Sequence, residues 1–299
     1  NPTGTFGARV RKAEFAGQSV PFAEVDGTLE GDGVALDSLE VDAAGAGTFS
    51  AHGRYGFDES YSFEFVGDKI SLSRVAALQE MPDEYRPKGR GQVRLHGSGT
   101  LSEPVVAGDL RMRDLELGAR ELGDGALVVN TVDDTVYVTG ALLPLVTLQL
   151  EVPLDETSPY YVRVGMEELE LTDAIEELEG SRAVSSFTTT GMLEVFVEKD
   201  FSRYQILSYL TDVDLRTMGR RIRNRGPLVF GINNGEMLQI QQATIGTRDR
   251  FITLEGGVIL DPLLLDLDAQ GTLDLSLLTT ARRAFPEYFP TSFVESRGE

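Results

Sequence analysis

Cysteine and tryptophan are absent from this 299-residue chain, histidine occurs twice, and 27 Lys+Arg face 48 Asp+Glu. Without cysteine there is no thiol nucleophile, no thiolate-ligated zinc or iron–sulfur cluster and no disulfide framework. The shortage of basic residues gives a formal net charge of −21. Nucleic acid and anionic membrane surfaces repel such a polyanion, so no nucleic-acid partner is read. Long apolar runs are missing too. The longest uncharged stretch, Thr135 to Leu150, is interrupted by Gly140, Pro144 and Gln149. It falls short of the ~20 residues that a spanning helix needs. No basic segment followed by an apolar one opens the sequence, which starts at Asn1. No targeting signal is therefore read, and the sequence looks like a piece of a longer protein. What is present, 41% apolar and 25% charged residues, is ordinary for a folded chain.

Length alone suggests about two domains, but an internal repeat changes the count. Apolar-alternating stretches end in glycine at TFGARVRKAEFAG (Gly17), VAGDLRMRDLELG (Gly118) and ILSYLTDVDLRTMG (Gly219), each 101 residues from the last. A paired-strand pattern built around a turn ends at Leu72, Leu171 and Leu275, spaced 99 and 104. The chain therefore reads as three units, 1–102, 103–202 and 203–299, of one continuous sheet.

Inside each unit the period is two. Leu193, Val195 and Val197 alternate with Glu194, Phe196 and Glu198; Leu263, Leu265, Leu267, Leu273 and Leu275 alternate with Asp266, Asp268, Thr272 and Asp274. Half-buried strands read this way. Tight turns are predicted at Gly31-Asp32-Gly33, Asp124-Gly125, Asn233-Asn234-Gly235 and Gly256-Gly257, where glycine and asparagine tolerate positive φ. About six strands per unit, about eighteen in all, are expected. Short helices are expected only at Arg74 to Glu80, Asp173 to Glu179, Phe201 to Tyr209 and Thr279 to Phe285. A sheet this long must curl or split, with an apolar inner face and an acidic outer one.

Candidate chemistries are few. His52 and His96 lie in alternating strands among small residues, without a second ligand at metal spacing, and read as solvent-facing. Asp266-Leu267-Asp268-Ala269-Gln270-Gly271 resembles the opening of a calcium loop, but Leu277 stands where the bidentate Glu is required. The carboxylate pairs Asp133-Asp134, Glu167-Glu168 and Glu176-Glu177 sit in turns or on the polar phase of strands and read as a solvated face. No catalytic residue, metal site or cofactor site is assigned, and the chain is not read as an enzyme. One basic cluster stands out: Arg216, Arg220, Arg221, Arg223 and Arg225. It reads either as a solvated turn or as a rim site for phosphate head groups, which guanidinium binds bidentately.

The alternation also yields an inward-facing set. In the second unit it comprises Leu110, Met112, Leu115, Leu117, Leu127, Val129, Val162, Val164, Leu169, Leu171, Leu193 and Val195. In the third it comprises Ile240, Leu254, Leu265, Leu267, Leu273 and Leu275. Alternation alone leaves open whether these residues fill a closed core or line a groove.

Three stretches, Gly97 to Val129, Arg221 to Val258 and Leu265 to Leu278, resemble the AsmA-like, TamB-type repeat proteins of Gram-negative envelopes. The likeness extends over nearly the whole chain. It rests on glycine, leucine and turn spacing, not on a catalytic signature. It implies an all-β fold, an elongated curled (β-taco, U-shaped) antiparallel-rich sheet around an apolar groove, with a few short helices. It also implies a place in the periplasm, with an inner-membrane anchor supplied by a segment outside these residues. The function implied is to shield and conduct phospholipid acyl chains between inner and outer membranes. Phospholipids would be partners, and so would an outer-membrane β-barrel protein of the same assembly module. Two other functions remain open: a scaffold that assists outer-membrane β-barrel assembly by strand augmentation, and a surface β-solenoid that binds glycans.

Overall fold

A computed structural model describes residues 3–15, 18–75, 86–117, 120–172, 184–217, 219–260 and 263–272. The protein is all-β, with eighteen strands in one antiparallel sheet. Among the described residues helical structure is limited to a 3-10 turn at Leu72–Arg74 and the single residue Thr172, and no helix is long and apolar enough to cross a membrane. Packing groups the chain into two compact units, Asn1–Val162 and Arg163–Glu299, a division different from the three sequence repeats.

The first unit is a meander of ten strands: β1 (Gly4–Phe15), β2 (Gln18–Glu30), β3 (Gly33–Ala43), β4 (Gly47–Gly56), β5 (Ser60–Ser71), β6 (Pro87–Thr100), β7 (Pro104–Leu117), β8 (Arg120–Val132), β9 (Thr135–Leu143) and β10 (Val146–Pro153). Each pairs antiparallel with the next. Period-two alternation makes this possible, because every strand presents one apolar edge row to both neighbours. The uncharged run at 135–150 becomes β9, the turn at Pro144-Leu145, and most of β10.

β11 (Tyr160–Glu170) carries the boundary between the units. In the second unit β12 (Val184–Val197) pairs with β13 (Tyr204–Thr217). The other edge of β13 is covered by two short strands placed end to end, β14 (Arg220–Asn224) and β15 (Leu228–Asn233). β16 (Met237–Gly246), β17 (Phe251–Leu260) and β18 (Leu263–Gly271) complete it. The break between β14 and β15 falls at Arg225-Gly226-Pro227, where proline has no N–H for a ladder. Asn224 bridges the gap: its Oδ1 accepts from Val213 N–H at 2.8 Å, and its Nδ2 donates to the carbonyls of Thr211 and Gly226.

The predicted turns divide evenly. Gly31-Asp32 joins β2 to β3, and Asn234-Gly235, both at positive φ, lies in the turn from β15 to β16. Asp124-Gly125 and Gly256-Gly257 lie instead inside β8 and β17. Gly256 adopts φ +128°, and a Cβ there would collide with the Asp266 carbonyl on β18, so this glycine serves close backbone approach in mid-strand. Phe201 to Tyr209 is no helix. From Tyr204 on it is strand β13, held by ladders on both edges, and its aromatic and branched residues suit that place. The helix expectations at 173–179 and 279–285, and at 76–80, lie outside the described residues.

Irregularities recur with the sequence repeat. Lys12 in β1 and Asp114 in β7 have φ of 58° and 52°, 102 residues apart; Lys69 in β5 and Glu168 in β11 have 53° and 47°, 99 residues apart. Such residues mark β-bulges, which kink a strand and increase its twist. Neighbouring side chains satisfy two of the displaced N–H groups: Asp124 accepts from Asp114, and Thr190 Oγ1 accepts from Glu168.

Candidate functional site

Directly opposed residues in neighbouring strands share a sheet face, so the ladders define surface rows. In the first unit one row runs Val10, Ala23, Val41, Phe49, Gly67, Val93, Leu110, Leu127, Gly140, Leu148, across all ten strands. The next runs Ala8, Val25, Leu39, Ala51, Phe65, Leu95, Gly108, Val129, Val138, Leu150. A third runs from Phe6 through Gly27, Leu36, Gly53, Phe63 and Gly97 to Val106. None of the three rows contains a charged side chain. Aromatic rings cover glycines one strand away: the ring of Phe6 lies where a Gly27 side chain would be, and that of Phe63 does the same for Gly97. Phe49 and Phe65 stack at 6.1 Å, as do Tyr61 and Phe63.

The opposite face is wet. Arg9, Glu24, Glu40, Ser50, Val66, Arg94, Asp109, Val128, Thr139 and Gln149 form one of its rows, and His52, Glu64 and His96 begin another.

The second unit repeats the arrangement. Leu193, Ser208, Phe230, Ile240, Gly256 and Leu267 form one row; Val195, Ile206, Ile232, Leu238 and Val258 form the next and lead to Leu265 by backbone register. Buried Val213, Leu228, Ile240 and Ala243 gather Leu254 and Leu267 on this face.

The degree of burial decides what these faces are. In the first unit Met112, Leu115 and Leu127 are buried, at 9%, 6% and 5% exposure, with Leu110, Val138 and Leu148 packed against them. Yet no described side chain is fully buried. The aromatic and aliphatic residues of the rows are mostly half-buried, screened by their lateral neighbours and still partly exposed. A filled core packs to crystal-like density with its large side chains sealed; these faces are not sealed.

The predicted inward residues take the following places. Leu110, Met112, Leu115, Leu127 and Val129 are on the apolar face of the first unit. Leu117 is half-buried at the end of β7, and Val162 is half-buried on β11. Val164 follows Arg163, whose guanidinium donates to Glu194 on the wet side, and alternation sends Val164 to the other. Leu169 and Leu171 are half-buried, and Leu193, Val195, Ile240, Leu254 and Leu267 are on the apolar face. The side chain of Leu265, and all of Leu273 and Leu275, lie outside the described residues. The sequence reading missed the face of β1–β6 altogether: Val41, Phe49, Phe63, Phe65, Val93 and Leu95. The alternation Tyr61-x-Phe63-x-Phe65 would have identified it.

The arginine cluster is not one surface. Arg216 stands opposite Arg221 and Asp214 opposite Arg223, all four on the wet face. Asp214 accepts from both Arg221 and Arg223 (2.9 Å to Arg223 Nη2). The bonds from Arg221 outweigh partial burial and hold the Asp214 carboxyl well below the usual carboxylate range. Arg225 lies 4.0 Å over the ring of Phe251, a cation–π contact. Only Arg220, opposite buried Thr217, shares the face of Leu215 and Ile222.

His52 and His96 are exposed, and His52 Nε2 lies 3.4 Å from Glu64. Asp266 and Asp268 sit in a regular strand paired to β17. Asp133-Asp134 form the β8–β9 turn at φ 46° and 57°; Glu176-Glu177 lie outside the described residues. Comparison with family models, with curated proteins and with solved structures finds no match.

Proposed function

We propose that the apolar sheet faces receive lipid acyl chains, and that the protein is a periplasmic segment that shields phospholipid tails between two membranes. The observation that carries this reading is the unsealed apolar face, with two uncharged rows continuous over ten strands and no fully buried side chain among the described residues. Acyl chains ask for no hydrogen bonds, and each methylene removed from water contributes about 0.8 kcal/mol. A face of repeated, similar strands provides many such positions and no single deep trap, as sliding transport requires. The wet face, rich in carboxylates, keeps the same sheet soluble. The resemblance to TamB-type repeat proteins points the same way and supplies the envelope setting.

The test is native mass spectrometry of protein purified in a mild detergent. Co-purifying phospholipid is expected in the wild type, and at least a tenfold lower occupancy in Phe65→Glu, with strand content by circular dichroism unchanged. A wild type free of lipid, or a Phe65→Glu variant that carries as much, would end this reading.

A further inference from the structure

On the wet face of β5–β7, directly behind the buried Met112 cluster, positive charge gathers in a chain that is otherwise acidic. Arg90 on β6 stands directly opposite Arg113 on β7, and Gln92 opposite Arg111. Like charges placed face to face destabilise a ladder. Lys69 joins them from the β5 bulge, at φ 53°. Together with Asp68 these side chains line a shallow concavity of about 200 Å³, room for several waters at about 30 Å³ each. Gln92 Nε2 donates to Asp68 at 2.6 Å, and Arg111 pairs with Asp109 at 3.2 Å, so the nearby carboxylates are already engaged. The side chains of Arg90, Arg113 and Lys69 make no hydrogen bond or ion pair with any described residue. A second concavity shares Lys69 and Arg90 with the first and continues past Lys88, Asp114 and Glu116.

In a chain of net charge −21, acids are abundant enough to neutralise every cation, and several other arginines have a carboxylate: Arg54 bonds Glu30 and Asp32, and Arg203 bonds Glu198. Three unpaired cations converging on one depression, two of them mutually repulsive guanidinium forks, fit a missing anion. We infer that Arg90, Arg113 and Lys69 form a binding site for a phosphate group, either a free phosphate or the head group of a phospholipid. Two guanidinium planes offer bidentate donors to phosphate oxygens, and the lysine adds a point charge. The bulge at Lys69 brings that charge beside the arginine pair.

This inference stands apart from the acyl-chain reading, since it concerns the other face of the sheet. The experiment is calorimetric titration at low ionic strength with inorganic phosphate and, separately, with monomeric dihexanoyl phosphatidylglycerol. It compares the wild type, the Arg90→Gln/Arg113→Gln double variant and Arg54→Gln as a control. The wild type and control are expected to bind phosphate, and the double variant to bind about tenfold or more weakly. In phosphate-free buffer the double variant should melt no lower than the wild type, because a repulsion has been removed. Binding of the lipid that is tighter than that of phosphate and is weakened in the double variant identifies a head group as the occupant; lipid binding at this site that is equal or weaker identifies free phosphate. A wild type that binds neither, or a double variant that binds as tightly, overturns the site. Phe65→Glu should leave the phosphate titration unchanged, so failure of one reading is distinguishable from failure of the other.

Discussion

Asp214 shows how single side chains hold the wet face in place. Its carboxylate is 14% exposed and accepts from two arginines that are themselves about half-exposed, so solvent screens much of the attraction. Removing the charge with Asp214→Asn should cost about 1 kcal/mol at neutral pH, read as a lower urea midpoint. Because the folded-state pKa lies below the unfolded value of about 3.9, this stability is present above that value and is lost as pH falls through the folded one. The difference between wild type and variant should therefore shrink as the pH is lowered below about 4. The cluster's basic character was legible in the sequence, but its division between faces was not. Face assignment depends on parity, and the register shift between Thr190 and Gly191 resets parity along β13. Nothing in the local sequence marks that shift.

At the scale of the element, bulges and interruptions set the geometry that alternation alone leaves free. The β14–β15 break shows this most clearly, since one side chain replaces the missing ladder bonds opposite buried Val213. Asn224→Ala leaves the Val213 N–H without its acceptor and should cost about 1–3 kcal/mol in chemical denaturation. Asn224→Asp keeps an acceptor but loses both donated bonds, and should fall between the two. A cost within error for Asn224→Ala would show that water closes the gap equally well. The strands themselves were readable because apolar and polar residues alternate so regularly, as with Leu193-Glu194-Val195. Glycine misled the reading. At Asn234-Gly235 it serves a turn, whereas at Gly256 it lets two strands approach within a ladder, and the two uses look alike in one dimension. The Phe201–Tyr209 segment misled for a different reason: a short apolar run fits a helical face as well as a strand, and only its ladder partners decide.

For the molecule, the central matter is what covers an apolar face that the described residues leave open. The sequence distinguished inside from outside in the second and third repeats. It did not reveal whether the inside was filled, because burial depends on what lies above the face and not on the strand that forms it. Incomplete burial in both units favours a ligand, and uncharged rows favour one made of hydrocarbon. Position-specific photo-crosslinking tests this most directly, using benzoylphenylalanine placed in turn at Phe63, Glu64, Phe65, Arg94, Leu110 and Leu127, with adducts identified by mass spectrometry. If acyl chains occupy the face, phospholipid adducts will form at Phe63, Phe65, Leu110 and Leu127 and not at Glu64 or Arg94, a period-two pattern imposed by the ladders. Adducts that ignore this alternation, or none on the apolar face, would contradict the account.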